Sequence, residues 1–310
     1  MGDVMVSVVI PTYNHEQYIT QALDSVLMQK TQYSYEVLVG EDKSTDGTRK
    51  VLKKYEAEHP NKITVFYREH NLSKDKYENA PDLRRRAKGK YLITLEGDDF
   101  WIADDKLEKQ VSFLETHPDY IAVAHNCVVV GEDGKEIDEI YPCCKEEEYT
   151  LDHYLKGIYP GQLATVLSRN FIKDNWFDPT IMERHLIPGD KLLYFALVTN
   201  GKVKCLQENL TAYRHVRKHG SSYSANYKYH FQTDEHWYFE LLSFAKEQKK
   251  GVEYVEALYI GCLIHGLKKK SISFREFNKY MKNVTKKWKA IRLFIFRMFS
   301  IHVTRKGMSN

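Results

Sequence analysis

The chain has 310 residues, 43% of them hydrophobic and 28% charged with both signs interspersed. That excludes a disordered polymer and fits one large domain, or a domain with an appendage. The net charge of +4 is uneven: nine Lys and Arg lie between Lys279 and Lys306, no acidic residue follows Glu276, and elsewhere 37 basic residues face 42 acidic ones, so the basic character belongs to the tail.

Val6-Ser7-Val8-Val9-Ile10 is a short apolar run ended by Pro11, the pattern of a buried parallel strand. Residues 15–29 carry Ile19, Leu23, Val26 and Leu27 at helical spacing. Tyr35 to Val39 reads as a second strand. Asp46-Gly47-Thr48 opens a helix with Val51, Leu52 and Tyr55 on one face. Ile63 to Tyr67 is a third strand. Residues 76–87 are expected to be helical, with Pro81 near the start. Tyr91 to Leu95 is a fourth strand, followed by a helix over 104–116 and a strand through Ile121 to Val123. A hairpin is expected around Glu132-Asp133-Gly134, short helices over 150–157 and 190–199, and a strand over 202–207. From about 232 the chain becomes all-helical, with helices expected over 232–247, 252–268 and 274–299.

Strands alternating with helices imply βαβ units and a parallel sheet. Ligands of such sheets sit beyond the carboxyl ends of the strands. The exits here are Pro11-Thr12-Tyr13-Asn14, Gly40-Glu41-Asp42 and Glu96-Gly97-Asp98-Asp99, all on one edge. The last places three carboxylates within four residues, which is costly unless something positive lies among them. Hard oxygen ligands suit Mg²⁺ or Mn²⁺ bridging to phosphates. A turn with helix-capping Asp residues is the other reading. Asp104 and Asp105 stand at a helix start and are read as caps. Ser44, Thr45 and Asp46 can likewise cap the next helix. Asp42, at a strand end, can accept a hydrogen bond from a ring N–H of a base such as uracil.

These segments, with Ser44-Thr45-Asp46-Gly47-Thr48 and Gly89-Lys90-Tyr91-Leu92-Ile93, occur in the order seen in the family 2 glycosyltransferases, which the chain resembles over about residues 5–225. The resemblance implies an α/β, GT-A type fold: a mostly parallel Rossmann-like central sheet flanked by helices, here with a C-terminal helical extension. It divides the chain into a glycosyltransferase domain over 1–230, with a nucleotide-binding half (1–100) and an acceptor half (101–230), and a helical region over 231–310. It implies inverting transfer from a nucleotide-diphosphate sugar, UDP-linked by expectation, with Mn²⁺ or Mg²⁺. Carried over by position, Pro11, Thr12, Tyr13 and Glu16 belong to the nucleotide-sugar site, with Asp42 on the base. Asp98 falls near the ribose and the metal, and Asp99 is the metal ligand. Glu96 stands where the family commonly has Asp. Arg84 can reach the donor phosphates, or lie with Arg85 and Arg86 on a solvated helix face.

Inversion needs a general base across the sugar from the diphosphate. Asp190, in Pro188-Gly189-Asp190, resembles the family's base motif; a helix N-cap explains the residue equally, and Glu183 is the alternative carboxylate. His215 and Arg217, in a Tyr-Arg-x-His-like segment that also holds Lys218 and His219, are expected near the diphosphate. Gln162, Thr165 and Trp176 fall on the acceptor side. Saccharides or lipid-linked saccharides are the expected acceptors, in cell-surface polysaccharide synthesis.

From Lys279 to Lys306 cations interleave with Trp288, Ile291, Leu293, Phe294, Ile295, Phe296, Met298 and Phe299. This reads as an interfacial helix on anionic lipid, or as a docked helix with a basic outer face. Nucleic acid is not expected, since no reader motif accompanies the charge. No signal peptide and no apolar run of about 18 residues is read, so a cytoplasmic protein peripheral on the inner face of the membrane is expected. Five cysteines without repeated spacing suggest free thiols and no disulfide framework. Two rivals remain: a catalytically inactive relative acting as an assembly partner, and a sugar-nucleotide pyrophosphorylase. The second lacks the Gly-rich, Arg-containing phosphate loop after its first strand.

Overall fold

The computed structural model describes residues 3–72, 79–174, 189–215 and 229–307. In chain order the elements are β1 (Val6–Thr12), α1 (Ile19–Leu27), β2 (Tyr35–Glu41), α2 (Thr48–Glu58), β3 (Ile63–Tyr67), α3 (Asn79–Arg86), β4 (Tyr91–Thr94), β5 (Phe100–Trp101), α4 (Lys106–Thr116), β6 (Tyr120–Val130), β7 (Glu148–Tyr149), α5 (Leu151–Lys156), β8 (Leu167–Arg169), α6 (Phe171–Asp174), α7 (Gly189–Asn200), β9 (Lys202–Arg214), α8 (Phe231–Gln248), α9 (Val252–Lys268), α10 (Phe274–Tyr280) and α11 (Lys287–Gly307). They group into two compact units. The first comprises Met1–Tyr149, Tyr159–His185 and Asn200–Tyr227; the second comprises Thr150–Ile158, Leu186–Thr199 and Lys228–Asn310.

The first unit is built on one sheet with strand order β3-β2-β1-β4-β8-β6-β9-β5, and β7 added on β9. β3, β2, β1 and β4 are parallel, as the βαβ pattern predicts. β6 and β9 form a second parallel pair, joined to β4 through the antiparallel β8. The unbroken apolar run of β1 follows from burial on both faces. Val6, Val8 and Ile10 share a cluster with Ile19, Leu23 and Val26 of α1. Val9 and Leu38 meet Leu83 of α3 on the other face. Pro81 falls in the first turn of α3, where a missing N–H costs little. The strand expected over 121–123 continues to Val130, because the 13-residue β9 pairs with it along its length. Asp104 and Asp105 do not cap α4: Asp105 holds the N-cap position without a side-chain cap bond, and the two carboxylates pair with Lys30 and Lys109.

The second unit is helical. The single helix expected over 274–299 is two, α10 and α11, with a 3₁₀ turn at Met281–Asn283 between them. The break has an identifiable cause. The buried Glu256 of α9 accepts the backbone N–H groups of Thr285 (2.6 Å) and Lys286 (2.8 Å) and the Thr285 hydroxyl (2.7 Å). Those donors leave the helical ladder and place a carboxylate at the start of α11, which also suits its dipole. Val284 is buried at the break.

Candidate active site at the strand exits

β1 carries the site's frame. In its parallel register Pro11 lies opposite Gly40 and Thr12 opposite Glu41. The Thr12 carbonyl accepts from Asp42 N–H (3.0 Å), and the Pro11 carbonyl accepts from Gly97 N–H (3.2 Å). The three strand exits are therefore hydrogen-bonded together, as their shared edge predicts. Gly97 is required by closeness: a Cβ there would stand 2.7 Å from both His15 Nδ1 and Thr12 Oγ1. Asn14 follows with a φ of +55°, its N–H donating to Ser44 and its side chain accepting from Thr45 N–H.

The carboxylates at these exits differ in what they touch. Asp42 is buried, and its Oδ1 accepts Leu72 N–H at 2.7 Å. Its neighbour Glu41, which the sequence gives no reason to single out, is also buried and is bound by Ser44 N–H and the Arg49 guanidinium. Glu16 is exposed and accepts Gly47 N–H at 2.9 Å, while Asp46 accepts Thr48 N–H at 3.0 Å; both carboxylates thus serve the start of α2. Thr12 is buried, with Pro11 and Tyr13 half-buried beside it.

The acidic segment after β4 divides sharply. Asp99 is 1% exposed. Its Oδ1 accepts the Arg214 backbone N–H and its Oδ2 accepts Gln162 Nε2, both at 2.8 Å. Burial, then the charges of Asp98 and Glu96, hold its carboxyl well above the usual range. Asp98 turns the other way. Its side chain is 20% exposed, with His15 Nε2 3.9 Å from a carboxylate oxygen. Glu96 is half-buried and lies 3.5 Å from Gln162 Nε2. The expected metal ligand Asp99 therefore has both oxygens committed to protein donors, while Asp98 and Glu96 are only half-buried. Among the described residues no group of three or more His, Cys, Asp or Glu is clustered to enclose a metal ion. Two hard carboxylates in this setting still match how Mg²⁺ and Mn²⁺ are held, by one or two such groups with the rest of the shell from phosphate and water.

Two side chains hold this segment in place. Gln162 is buried; besides reaching Asp99 it accepts Ala164 N–H at 2.6 Å and so caps the 3₁₀ turn Leu163–Thr165. Arg214, at the end of β9, donates to the carbonyls of Asp98 (2.8 Å), Gly131 (3.1 Å) and Glu132 (2.8 Å) and to Gln21 (2.7 Å), and its guanidinium lies over Tyr18. Gln162 was expected on the acceptor side; here it and Arg214, the residue before His215, both brace the acidic exit. Thr165, also expected on the acceptor side, is fully buried and donates to the Gln162 carbonyl. His15 carried no signal in the sequence at all.

Arg84 is buried, unlike the exposed Arg85 and Arg86, so the solvated-face reading fails for it. It donates to Thr94 Oγ1 at 3.2 Å; burial lowers its pKa to about 10, against the opposing charge of Glu96. His215 donates its N–H to the Val130 carbonyl and pairs with Glu139 at 2.6 Å. Asp190 belongs to the second unit, in the first turn of α7, half-buried, its Oδ1 accepting Lys191 N–H at 2.7 Å. Burial raises its pKa above the usual carboxylate range. Arg217, Lys218, His219, Trp176, Glu183 and Pro188 lie outside the described residues.

A largely parallel α/β sheet with acidic side chains gathered at its strand exits is the arrangement in which such folds bind their ligands. Residues 7–169 match the family described as Glycosyl transferase family 2, and the chain belongs to that family. An uncharacterized protein of Mycobacterium tuberculosis, Rv1520, is 31% identical over 225 residues, 71% of this chain and 61% of its own length, so the chain spans about three fifths of that relative. The Escherichia coli protein WfgD, named a UDP-Glc:α-D-GlcNAc-diphosphoundecaprenol β-1,3-glucosyltransferase, is 30% identical over 179 residues, 56% of this chain and 63% of its own. Among solved structures, Staphylococcus aureus TarS 1–349 in complex with UDP-GlcNAc superposes with a TM-score of 0.64 at 17% identity, covering 98% of this chain and 92% of that one. That likeness establishes the GT-A fold expected from the sequence.

Proposed function

We propose that this protein is an inverting glycosyltransferase that moves a sugar from a nucleoside-diphosphate sugar, UDP-linked, to a hydroxyl of a saccharide or lipid-linked saccharide in cell-surface polysaccharide synthesis. The observation that carries this reading is the joining of the three strand exits around Asp98 and Glu96, whose carboxylates stay half-buried while Asp99 is withdrawn. The names of WfgD and of the TarS complex support UDP as the nucleotide, and that of WfgD supports a lipid-linked acceptor.

In this reading Pro11, Thr12, Tyr13 and Asp42 form the nucleotide side. Asp98, with Glu96, would hold the divalent cation. Asp99 keeps them in place through Gln162 and Arg214, so of the two expected metal residues Asp98 is the one read as ligand. A bound Mg²⁺ or Mn²⁺ supplies positive charge where the nucleoside diphosphate departs. Arg84 adds a fixed positive charge behind the same exit. Asp190 takes the proton of the acceptor hydroxyl as its oxygen bonds to C1 of the sugar, and the C1–O bond to the diphosphate breaks on the opposite side. A pKa raised by burial suits a carboxylate that must hold that proton briefly.

The C-terminal helix supports a place on the cytoplasmic membrane face. Trp288 is 87% exposed and Phe299 is 71% exposed, with Ile295 exposed on the same face at spacings of seven and four residues and Arg292 between them. Among the described residues no helix is long and apolar enough to cross a membrane.

The test is a screen of nucleoside-diphosphate sugars with Mn²⁺ or Mg²⁺, following nucleoside diphosphate release. Wild-type turnover is expected, and Asp98→Asn and Asp190→Asn are expected to lose it. Full activity in both variants would refute the reading. Wild-type protein should float with vesicles containing an anionic lipid and not with neutral ones, and Trp288→Glu with Phe299→Glu should abolish flotation; unchanged flotation removes the membrane role.

A further inference from the structure

A run of aromatic rings in the first unit begins beside the acidic exit. Tyr141, Tyr159, Tyr213 and His215 are half-buried and all belong to that unit. Ring centroids lie 5.9 Å apart for Tyr141 and Tyr159, 5.4 Å for Tyr141 and Tyr213, and 6.2 Å for Tyr213 and His215. The first two pairs are tilted or edge-on, and the last is stacked within 16° of parallel. Backbone bonds fix the run. Tyr159 N–H donates to the Pro142 carbonyl (2.8 Å), Cys144 N–H to the Tyr159 carbonyl (2.7 Å) and His215 N–H to the Val130 carbonyl (2.9 Å). Two of the rings hang on the segments that hold Asp99. Tyr159 stands three residues before Gln162 and Tyr213 one before Arg214, and Gln162 Nε2 and the Arg214 N–H each bind one Asp99 oxygen at 2.8 Å. His215 gives the run a polar edge. Its Nδ1 lies 2.6 Å from a Glu139 carboxylate oxygen, with the two side chains 26% and 24% exposed. An Nδ1–H donated to Glu139 makes Nε2 an acceptor.

We propose that Tyr141, Tyr159 and Tyr213, with the His215–Glu139 pair at their edge, form the contact site for a pyranose ring of the acceptor saccharide. A pyranose has an apolar face of C–H groups and a rim of hydroxyls. Half-buried tyrosines are its complement, each an apolar ring with a polar tip. The imidazole–carboxylate pair adds the few placed polar groups that fix orientation in such sites. Strand order points to the acceptor rather than the nucleotide. The order runs β2-β1-β4-β8-β6-β9. The nucleotide-side residues stand at the exits of β1 and β2, the acidic segment follows β4, and Tyr213 lies near the end of β9, on the far side of that segment. A nucleoside-diphosphate sugar with its base at β1 and β2 brings its diphosphate and transferred sugar to the acidic exit. The rings beyond are left for the molecule that receives the sugar. The site presupposes the saccharide acceptor proposed above and is independent of the nucleotide, metal and base assignments.

The experiment titrates the full chain with the methyl β-glycosides of glucose, galactose and N-acetylglucosamine by saturation-transfer NMR, and separately with UDP and Mn²⁺ by calorimetry. Wild type is expected to bind at least one glycoside, with saturation reaching its ring C–H protons. Tyr141→Leu and Tyr213→Leu should each weaken that binding about tenfold, and Tyr213→Phe should keep it. UDP affinity should be the same in all of them, and urea midpoints establish that each is folded. Tyr213→Trp retains an aromatic face should a leucine variant fail to fold, and its added indole emission should shift as the glycoside binds. No glycoside bound by wild type, binding unchanged in the folded leucine variants, indole emission indifferent to a glycoside that binds, or UDP affinity lost in step with glycoside affinity would each overturn the site. Tyrosine-dependent glycoside binding by a chain that binds no UDP would sink the nucleotide reading and leave this site standing.

Discussion

Replacing Gln162 by Leu tests whether Asp99 is a held group rather than a ligand. The substitution keeps an apolar stem of similar size and removes both polar ends. Asp99 loses its charge-assisted hydrogen bond at Oδ2, and the buried Ala164 N–H loses its acceptor. A hydrogen bond to a charged group is worth about 1.5–3 kcal/mol, and an orphaned buried donor costs about 1–3 kcal/mol. Together they predict a loss of about 3–5 kcal/mol in the stability of the first unit. The loss also depends on pH. The Asp99 pKa is raised by burial and by its acidic neighbours. Its contribution to stability is therefore full below its unfolded value of about 4 and drains away as pH rises through the folded value. Gln162 favours the ionised form, so the gap between wild type and variant should widen over that same rise. Urea unfolding followed by tryptophan fluorescence suits the measurement, since Trp101 donates to the Ala164 carbonyl beside this turn. In a double-mutant cycle with Asp99→Asn the coupling should be about 1–2 kcal/mol. A loss below about 1 kcal/mol, or one independent of pH, would refute the holding role.

Three further outcomes follow from the same geometry. Asp98→Asn should leave the unfolding midpoint nearly unchanged, because the group is partly solvated, while lowering kcat/KM roughly a hundredfold or more; comparing urea curves with product release separates the two effects. Arg84→Met removes a buried charge whose guanidinium donates to the Thr94 hydroxyl. Its thermal midpoint should hold or rise, since buried ions are often neutral or costly, and nucleoside diphosphate affinity by calorimetry should fall about tenfold, the equivalent of ~1.4 kcal/mol. A lower midpoint with unchanged affinity would make Arg84 structural. For Asp190, a base that works deprotonated with a pKa raised by burial should make kcat/KM fall as pH drops through a value above the ordinary Asp range; Asp190→Asn should lose that limb and about 10²–10⁴ in rate. An unchanged acid limb in the variant would assign the base elsewhere.

The parallel half of the sheet was legible because β1, β4 and the centre of β2 are buried and so carry short apolar runs, while the edge strand β3, partly exposed, still reads Ile63-Thr64-Val65-Phe66-Tyr67. β5, β7 and β8 are two or three residues long and make no periodic pattern. The break between α10 and α11 was hidden for another reason: local propensity continues through it, and the carboxylate that diverts its N–H groups lies about thirty residues earlier, on α9.

The acidic exit shows the same limit at single-residue scale. Composition at 96–99 announces that three carboxylates cannot all be buried as bare charges. It does not say which is withdrawn. That is settled by donors 63 and 115 residues away in sequence, Gln162 and the backbone of Arg214, which take one oxygen each of Asp99. Once both oxygens are taken, the neighbouring residue inherits the outward position. Asp98 and Asp99 are chemically identical and adjacent, so only the long-range partners distinguish the carboxylate that is buried from the one that is partly exposed. A motif alignment by spacing finds the segment, but which of its carboxylates is withdrawn behind protein donors depends on contacts that spacing does not contain.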